Sequence, residues 1–243
     1  MPDIIPRPRP MKTIGVLGGM SDKATGEYYR LINAAINARL GGWDNGEIVI
    51  VSVNFGNIQH FIRAGLWDEA TAYLAEKVDR LERAGVDVIV CVSNTMHRVL
   101  EQVMADRPTP FIHIADPTGT AIRAAGLSRV GLLGTLPIMA SDQIAGRYRE
   151  RFGIDILVPD EAGRAAVDRV IFDELVHDVV SDESREIYRS VIAALGQRGA
   201  QGVILGCTEI YMLTGRGRLD GLPLFDTTEL HVNAAVDFAL RAS

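Results

Sequence analysis

The stretch that decides the fold is Gly85-Val-Asp-Val-Ile-Val-Cys-Val-Ser-Asn-Thr-Met-His97. Five β-favouring apolar residues at 88–92 lead into the polar residues Ser93, Asn94 and Thr95. A short run that is apolar on both faces predicts a strand buried inside a parallel sheet. Such sheets bind ligands beyond the carboxyl ends of their strands. We therefore expect the polar residues that follow this strand to lie in a binding or catalytic site.

A second stretch, Gly199-Ala-Gln-Gly-Val-Ile-Leu-Gly-Cys-Thr-Glu209, has the same plan. Ser93 lies eight residues after Gly85, and Cys207 lies eight residues after Gly199. Another pair of segments repeats in the same order: Thr13-Ile-Gly-Val-Leu-Gly-Gly19 and Arg129-Val-Gly-Leu-Leu-Gly-Thr135. The repeat of about 115 residues is too long for a solenoid unit. The pattern indicates two similar lobes, each ending a buried strand in a potential nucleophile or base.

We therefore predict an α/β protein of two similar three-layer lobes with mostly parallel sheets. The lobes are related by a pseudo-twofold axis, and the active site lies in the cleft between them. Residues 11–117 plus 228–243 are predicted to form the first lobe, and residues 118–227 the second. The proline-rich residues 1–10 are interpreted as a disordered leader ahead of a start near Met11.

Capping and turn residues predict the elements around these strands. Ser21 is the predicted N-cap of a helix over Asp22–Leu40. Residues 54–59, Asn-Phe-Gly-Asn-Ile-Gln, are predicted to form a loop after the second strand. Residues 111–115 are predicted to form a short strand, and residues 119–125 the helix that follows it.

Composition excludes several classes of partner. The 47% apolar and 23% charged residues are ordinary for a soluble globular protein. A net charge of −6 lacks the basic surplus that binding to nucleic acid requires. No apolar run approaches the roughly 20 residues needed to cross a bilayer, so no membrane contact is expected. The two cysteines, Cys91 and Cys207, are interpreted as reduced thiols of a cytoplasmic protein.

Cys207 is the first candidate for chemistry, in Gly206-Cys-Thr-Glu209 at a predicted strand-to-helix junction. Amide N–H groups at a helix start lower the pKa of a thiol and can hold a carboxylate. The alternative is a buried structural cysteine. We favour a catalytic Cys207 because the repeat pairs it with Ser93 and because Thr208 and Glu209 adjoin it. Glu209 is itself a candidate substrate-binding residue that could orient or polarise a neighbour, and the alternative is that it simply lies in the first turn of the helix.

Ser93 offers a hydroxyl at the matching position of the first lobe. A free serine hydroxyl is a very weak base and needs help from a partner. The alternative is that Ser93 only caps a helix. His97, four residues later, either hydrogen-bonds Ser93 or merely starts the helix, and the sequence leaves both open. Cys91 lies further from the strand end and is interpreted as a core residue.

The glycine-rich loops at residues 18–21 and 134–135 match neither dinucleotide-binding nor P-loop patterns. Loops that donate N–H groups to a small anion are the better interpretation. Met20 and Thr135 are therefore candidate substrate-binding residues, together with Asn54 in the loop after the second strand. The five histidines show no metal-ligand spacing with either cysteine, so a metal site is not expected.

Four stretches together resemble the aspartate/glutamate racemase family: Gly15-Val-Leu-Gly-Gly-Met-Ser21, Ser93-Asn-Thr-Met-His97, Gly131-Leu-Leu-Gly-Thr135 and Gly206-Cys-Thr-Glu-Ile210. They occur in order and cover nearly the whole chain from Met11 onward. The resemblance implies a cofactor-independent amino-acid racemase, with one cysteine from each lobe flanking the substrate α-carbon. One cysteine removes the α-proton as thiolate, and the other returns a proton to the opposite face. The resemblance also implies a homodimer.

The chain departs from this pattern at Ser93, where the family's first cysteine precedes Asn-Thr. A thiol has a pKa of about 8.5, whereas an alkanol is a far weaker acid. We expect Cys207 to be the base for one enantiomer and Ser93 to deliver a proton, directly or through water. Rates should be strongly asymmetric, with slow proton removal on the Ser93 side. Backbone N–H groups, Asn94, Thr95 and Thr208 would hold the α-carboxylate.

The resemblance implies a substrate of the aspartate/glutamate type, with a possibly broader range. Acidic-substrate members place basic side chains in the loop after the second strand, and residues 54–59 carry none. Arg63 and Arg164 are the nearby candidates for a side-chain carboxylate. Two alternatives stay open: a related decarboxylase or cis-trans isomerase of a small dicarboxylic acid, and a non-catalytic protein that binds a small ligand.

Overall fold

The computed structural model of the chain describes residues 10–241. The predicted leader at residues 1–10 lies, apart from Pro10, outside the described residues. Across the described part of the chain, no helix is long and apolar enough to cross a membrane.

The first sheet contains three parallel strands in the order β2-β1-β3. They are β1 (Ile14–Gly18), β2 (Ile48–Ser52) and β3 (Val88–Cys91). Strands β1 and β3 are buried along their whole length, as expected where helices cover both faces of a sheet. The helices that accompany this sheet are α1 (Asp22–Leu40), α2 (Phe55–Ala64), α3 (Trp67–Arg83) and α4 (His97–Met104). Ser21 caps α1 as predicted, because its Oγ accepts the N–H of Ala24 at 3.2 Å.

The second sheet contains five strands in the order β5-β4-β6-β8-β7. They are β4 (Arg129–Leu133), β5 (Asp155–Leu157), β6 (Val203–Leu205), β7 (Arg218–Leu219) and β8 (Leu222–Asp226). All pair in parallel except β7, which is antiparallel to β8. The helices of this region are α5 (Ala115–Ala124), α6 (Leu136–Ala140), α7 (Asp142–Phe152), α8 (Glu161–Asp173), α9 (Asp182–Gln197) and α10 (Tyr211–Thr214). A 3₁₀ turn at Leu175–His177 follows α8.

The two sheets repeat one arrangement around their central strands. In the first sheet β3 lies beside β1, and Phe111 forms an isolated parallel bridge with Ile89 on the outer side of β3. In the second sheet β6 lies beside β4, and β8 lies on the outer side of β6. The chain thus has two α/β lobes with mostly parallel sheets, which confirms the predicted fold class.

The predicted strand at residues 111–115 and the predicted start of the next helix are wrong. Only Phe111 makes a bridge, and α5 begins at Ala115. The carbonyl of Ile112 accepts a hydrogen bond from Nε2–H of His231 at 2.8 Å, which takes the place of a continued ladder. Pro117 is tolerated in the first turn of α5 because N–H groups there have no acceptor within the helix.

The predicted loop at residues 54–59 is also wrong, because helix α2 begins at Phe55. The composition favours a turn, but the side-chain oxygen of Asn54 accepts the N–H of Gly56 at 2.9 Å and caps the helix. Phe55, Ile58 and Ile62 then recur at the spacing of one apolar helix face.

The last helix, α11 (Thr227–Ala239), packs against both α1 and α5. Its residues Val232, Ala235 and Val236 belong to the apolar core of the first sheet. Lobe boundaries at 117/118 and 227/228 would assign this helix to the first lobe, and those boundaries stay a prediction.

Three buried histidines lie where α11 meets the first lobe. The ring centroid of His97 is 4.6 Å from that of His113 and 5.8 Å from that of His231. Nε2–H of His231 donates to Ile112, so its Nδ1 accepts the hydroxyl of Tyr28 at 2.8 Å. Burial lowers the pKa of His113 to about 3 and that of His231 to about 4. Burial also lowers the pKa of His97 well below its ordinary value, so all three rings are neutral in the folded protein at neutral pH.

We predict that the free energy of unfolding falls as the pH is lowered from 6.5 to 5. The three rings stay neutral in the folded protein, whereas in the unfolded chain they gain protons below about 6.5, so acid favours the unfolded state. Each histidine contributes at most about 1.4 kcal/mol per pH unit. Urea unfolding across this range measures the slope. His231→Gln keeps a donor and an acceptor and should reduce the slope, and an equal slope in that variant would contradict the prediction.

Candidate active site

A cavity of about 290 Å³ lies between the two lobes, beyond the carboxyl ends of strands from both sheets. Eight of the nine predicted site residues line it: Met20, Ser93, Asn94, Thr95, Thr135, Cys207, Thr208 and Glu209. Asn54 does not line the cavity, because its exposed side chain caps α2. Of the two arginines considered for a side-chain carboxylate, Arg63 lines the cavity and Arg164 does not.

Two glycines let the loops after β1 and β6 pack closely against neighbouring backbone within their own lobes. Gly19 has a φ of 88°, and a Cβ there would lie 2.2 Å from the carbonyl oxygen of Val53. At Gly206 a Cβ would lie 2.8 Å from the carbonyl oxygen of Leu133. A side chain at either position would push its loop away from that neighbouring backbone and displace the residues that follow, including Cys207 after Gly206.

The carboxylate of Glu209 accepts three hydrogen bonds around Cys207. Its Oε2 accepts Sγ–H of Cys207 at 3.1 Å and the hydroxyl of Thr208 at 2.5 Å. Its Oε1 accepts the hydroxyl of Ser21 at 3.0 Å, and Ser21 belongs to the loop after β1 in the other sheet. The carboxylate therefore ties the thiol to the first lobe.

The pKa of the Cys207 thiol is raised well above its ordinary value, first by burial and then by the negative charge of Glu209. The amide N–H groups of Thr208 and Glu209 lower it, as expected from the sequence, but burial and charge outweigh them. The helix that follows, α10, has four residues and starts only at Tyr211, so it adds little dipole. In the free protein Cys207 is therefore a protonated thiol at neutral pH, with its proton directed at Glu209.

Ser93 has no comparable acceptor for its hydroxyl proton. Its Oγ accepts the N–H of Met96 at 3.3 Å. His97 both begins α4 and bonds residue 93, but its Nδ1–H donates to the backbone carbonyl at 2.7 Å. The Nε2 of the same ring accepts the N–H of Ile114 at 3.1 Å, so neither ring nitrogen is available to the hydroxyl. In residues 10–241, no carboxylate or imidazole hydrogen-bonds the Ser93 hydroxyl.

Polar contacts also join the lobes beside the two candidate groups. The hydroxyls of Thr95 and Thr135, which follow β3 and β4, lie 3.2 Å apart. The amide of Asn94 donates to Oγ1 of Thr227 at 3.1 Å, and Thr227 donates to the carbonyl of Leu205 at 2.8 Å. The loop that carries Ser93 is thereby anchored to the second sheet.

Cys91 is buried in the apolar core of the first sheet and does not line the cavity. Burial raises its pKa to about 12, which suppresses thiolate formation. Its placement agrees with the interpretation as a core residue. Among the described residues, no group of three or more His, Cys, Asp or Glu side chains could hold a metal ion.

Sequence reasoning missed most of the apolar wall of the cavity and three polar members, which are Ser21, Gln59 and Asp168. Ser21 was expected only to cap a helix. Asp168 of α8 also lines the cavity, and its Oδ1 accepts the N–H of Leu136 at 2.6 Å. The missed apolar members include Phe55, Ile58, Ile62, Ile171, Phe172 and Val176. Helical spacing along residues 55–62 and 168–172 is the signal that could have placed them on one face of each helix.

The sequence profile of the Asp/Glu/Hydantoin racemase family matches residues 17–235. The chain belongs to this family. A solved structure from Yersinia pestis, assigned as an Asp/Glu racemase, is 41% identical with a TM-score of 0.87, over 95% of this chain and 100% of that one. An aspartate racemase homologue from Pyrococcus horikoshii OT3 is 29% identical with a TM-score of 0.79, over the same shares. A glutamate racemase from Francisella tularensis, 14% identical with a TM-score of 0.64 over 93% of this chain and 80% of that one, shares the fold.

Membership of this racemase family confirms the resemblance found in the sequence. Racemases are isomerases, so the chain is an enzyme of the isomerase class.

We predict that Glu209→Gln lowers the pKa of Cys207, because removing a negative charge beside Sγ favours the thiolate. Glutamine keeps one oxygen, which can accept the hydrogen bonds from Cys207 and Thr208, but its NH₂ group replaces the oxygen that accepts from Ser21. The pH dependence of alkylation at Cys207 by iodoacetamide, followed by mass spectrometry, measures the change. Glu69→Gln on the exposed surface of α3 is the matched control and should leave the profile unchanged. Identical profiles for the Glu209 variant and the wild type would show that burial alone sets this pKa.

Proposed function

We propose that the chain is a cofactor-independent amino-acid racemase in which Cys207 and Ser93 act on opposite faces of the substrate α-carbon. One observation carries the proposal: the two side chains follow equivalent strands of the two lobes and line the same cavity. A substrate held between them would be met from two sides, as inversion of a carbon centre requires. Family membership supports the reaction class, and the names of the relatives make aspartate and glutamate the first candidate substrates.

Cys207 is the proposed base for one enantiomer. Because its thiol is protonated in the free enzyme, Glu209, 3.1 Å away, first accepts that proton. The thiolate then takes the α-proton, and the electron pair of the C–H bond passes to a carbanion delocalised into the α-carboxylate. A thiolate whose pKa is raised is a stronger base, which suits abstraction from a weakly acidic carbon.

The ends of the strands offer donors for the α-carboxylate. The amide N–H groups of Asn94 and Thr95 have no acceptor within residues 10–241, and both residues line the cavity. With the hydroxyls of Thr135 and Thr208 they would hold the carboxylate and the negative charge that develops on it. Met20 would contribute an apolar contact from the first lobe.

Ser93 is the proposed proton donor on the opposite face. Its hydroxyl delivers a proton to the carbanion, directly or through a water molecule, and recovers a proton from solvent, while Glu209 releases to solvent the proton that it took from Cys207. Since an alkanol is a far weaker acid than a thiol, this transfer is the slower one. The carbanion therefore takes a proton back from Cys207 more often than it accepts one from Ser93. As a result, kcat and KM differ between the two enantiomers.

For assembly we propose a homodimer, which the family resemblance implies. The strongly exposed side chain of Trp43 and the half-exposed Tyr29, both in the first lobe, are apolar groups of the kind found at subunit contacts. Sedimentation velocity measures the oligomeric state in solution.

We predict that Cys207→Ala lowers racemisation by about 10²–10⁴-fold, the usual contribution of a general base. Deuterium incorporation at the α-carbon in D₂O, read by NMR together with chiral separation, measures it. Cys91→Ala is the matched control, because it removes the other thiol outside the cavity and should keep activity. Full exchange in the Cys207 variant would refute the assigned base. Carbon dioxide release would indicate the decarboxylase alternative, and binding without exchange would indicate a ligand-binding protein.

We predict that the wild type exchanges the α-proton of the enantiomer facing Cys207 faster than it inverts that enantiomer. Ser93→Cys supplies a better acid on the opposite face and should lower the ratio of exchange to inversion by at least about tenfold. Ser93→Thr keeps a hydroxyl and should keep the ratio. Equal ratios in all three proteins would exclude Ser93 from the proton transfer.

A further inference from the structure

Beyond the groups around Cys207 and Ser93, the cavity is lined mainly by apolar side chains. Three come from α2 in the first lobe, and three from α8 and the turn after it in the second. They are Phe55, Ile58, Ile62, Ile171, Phe172 and Val176. The cavity thus takes an apolar wall from each lobe.

The packing of these walls fixes their position. Ile58 and Ile171 are each 1% exposed and belong to the cores of their lobes, so they hold α2 and α8 in place. Phe55, Ile62 and Phe172 are only partly buried, so part of their surface is free to contact a ligand. Such a surface loses unfavourable contact with water when an apolar group covers it.

The charges that line the cavity also favour a ligand without a negatively charged side chain. Its lining contains one basic and two acidic side chains, Arg63, Asp168 and Glu209, with a formal net charge of −1. Asp168 is held by the N–H of Leu136, and Glu209 by its three donors. The side chain of Arg63 is exposed, and within residues 10–241 it pairs with neither acid. An aspartate or glutamate ion also carries a net negative charge.

We propose that the preferred substrate is a neutral amino acid with an apolar side chain of about the size of methionine or leucine. The charge of its α-ammonium group would be balanced by a carboxylate of the cavity. Its side chain would move out of water into the apolar space between α2 and α8. A second carboxylate would lose its hydration against apolar groups and meet two acidic side chains, whereas Arg63, the basic side chain of the lining, is exposed to water that screens its attraction. This inference rests on the proposed racemase activity and assigns it a substrate class other than the aspartate and glutamate that the names of the relatives suggest.

The first test compares kcat/KM for α-proton exchange in D₂O among L-methionine, L-leucine, L-alanine, L-aspartate and L-glutamate. Methionine and leucine should exceed alanine by at least about tenfold, since each buried methylene contributes about fourfold. Aspartate and glutamate should fall at least about tenfold below methionine. Exchange of either acid as fast as methionine overturns the inference. Exchange of no amino acid refutes the racemase proposal itself.

A pair of variants tests the role of charge. Asp168→Asn keeps an oxygen that accepts the N–H of Leu136 but removes one negative charge from the lining. The ratio of kcat/KM for L-aspartate to that for L-methionine should rise about tenfold. Asp173→Asn, on the same helix but exposed and outside the lining, should leave the ratio unchanged. Equal ratios in the two variants overturn the inference.

Phe172→Ala tests the apolar wall, because it removes a ring from the lining without changing the charge. The preference for L-methionine over L-alanine should fall about tenfold, mainly through KM. Thermal unfolding of the variant confirms that it is folded under the assay conditions. An unchanged preference in the folded variant overturns the inference.

Discussion

The carboxylate of Glu209 sets both the geometry and the electrostatics of the cavity. It accepts hydrogen bonds from Cys207 and Thr208 beside it and from Ser21 of the other lobe. The same negative charge that orients the thiol proton also raises the pKa of the thiol. The state of Cys207 therefore depends on the two lobes being closed, because an open cleft would remove Ser21 and let water screen the charge.

The parts of this site that could be predicted from the sequence depend on local patterns that the fold repeats. Ser93 and Cys207 occupy equivalent places because β3 and β6 each occupy the same place beside a central strand. Parallel strands end at one edge of a sheet, so polar residues that follow them come together whatever the loops do. Ser21 could be predicted as a cap for the same reason, since capping is decided within four residues.

The parts that could not be predicted depend on contacts distant in the chain or on competing local preferences. The residues from Asn54 to Gln59 favour a turn, yet packing of an apolar face makes them the first turns of α2. The tautomer of His97 is set by the N–H of Ile114, which no local pattern reveals. The raised pKa of Cys207 follows from burial, which outweighs the amide groups that the sequence does show.

An unequal pair of proton-transfer groups cannot make a racemase convert one enantiomer into the other irreversibly. Enantiomers have equal free energies in water, so kcat/KM must be the same for both. In the proposed mechanism Cys207 and Ser93 would set the relative height of two barriers, and hence how often the carbanion takes its proton back from Cys207 before it accepts one from Ser93. In the same proposal the apolar walls on α2 and α8 would contact the side chain of the substrate and not its α-hydrogen, so they would stabilise ground and transition states alike. Substrate choice and stereochemical balance would then depend on different residues, so that either could change in evolution without the other.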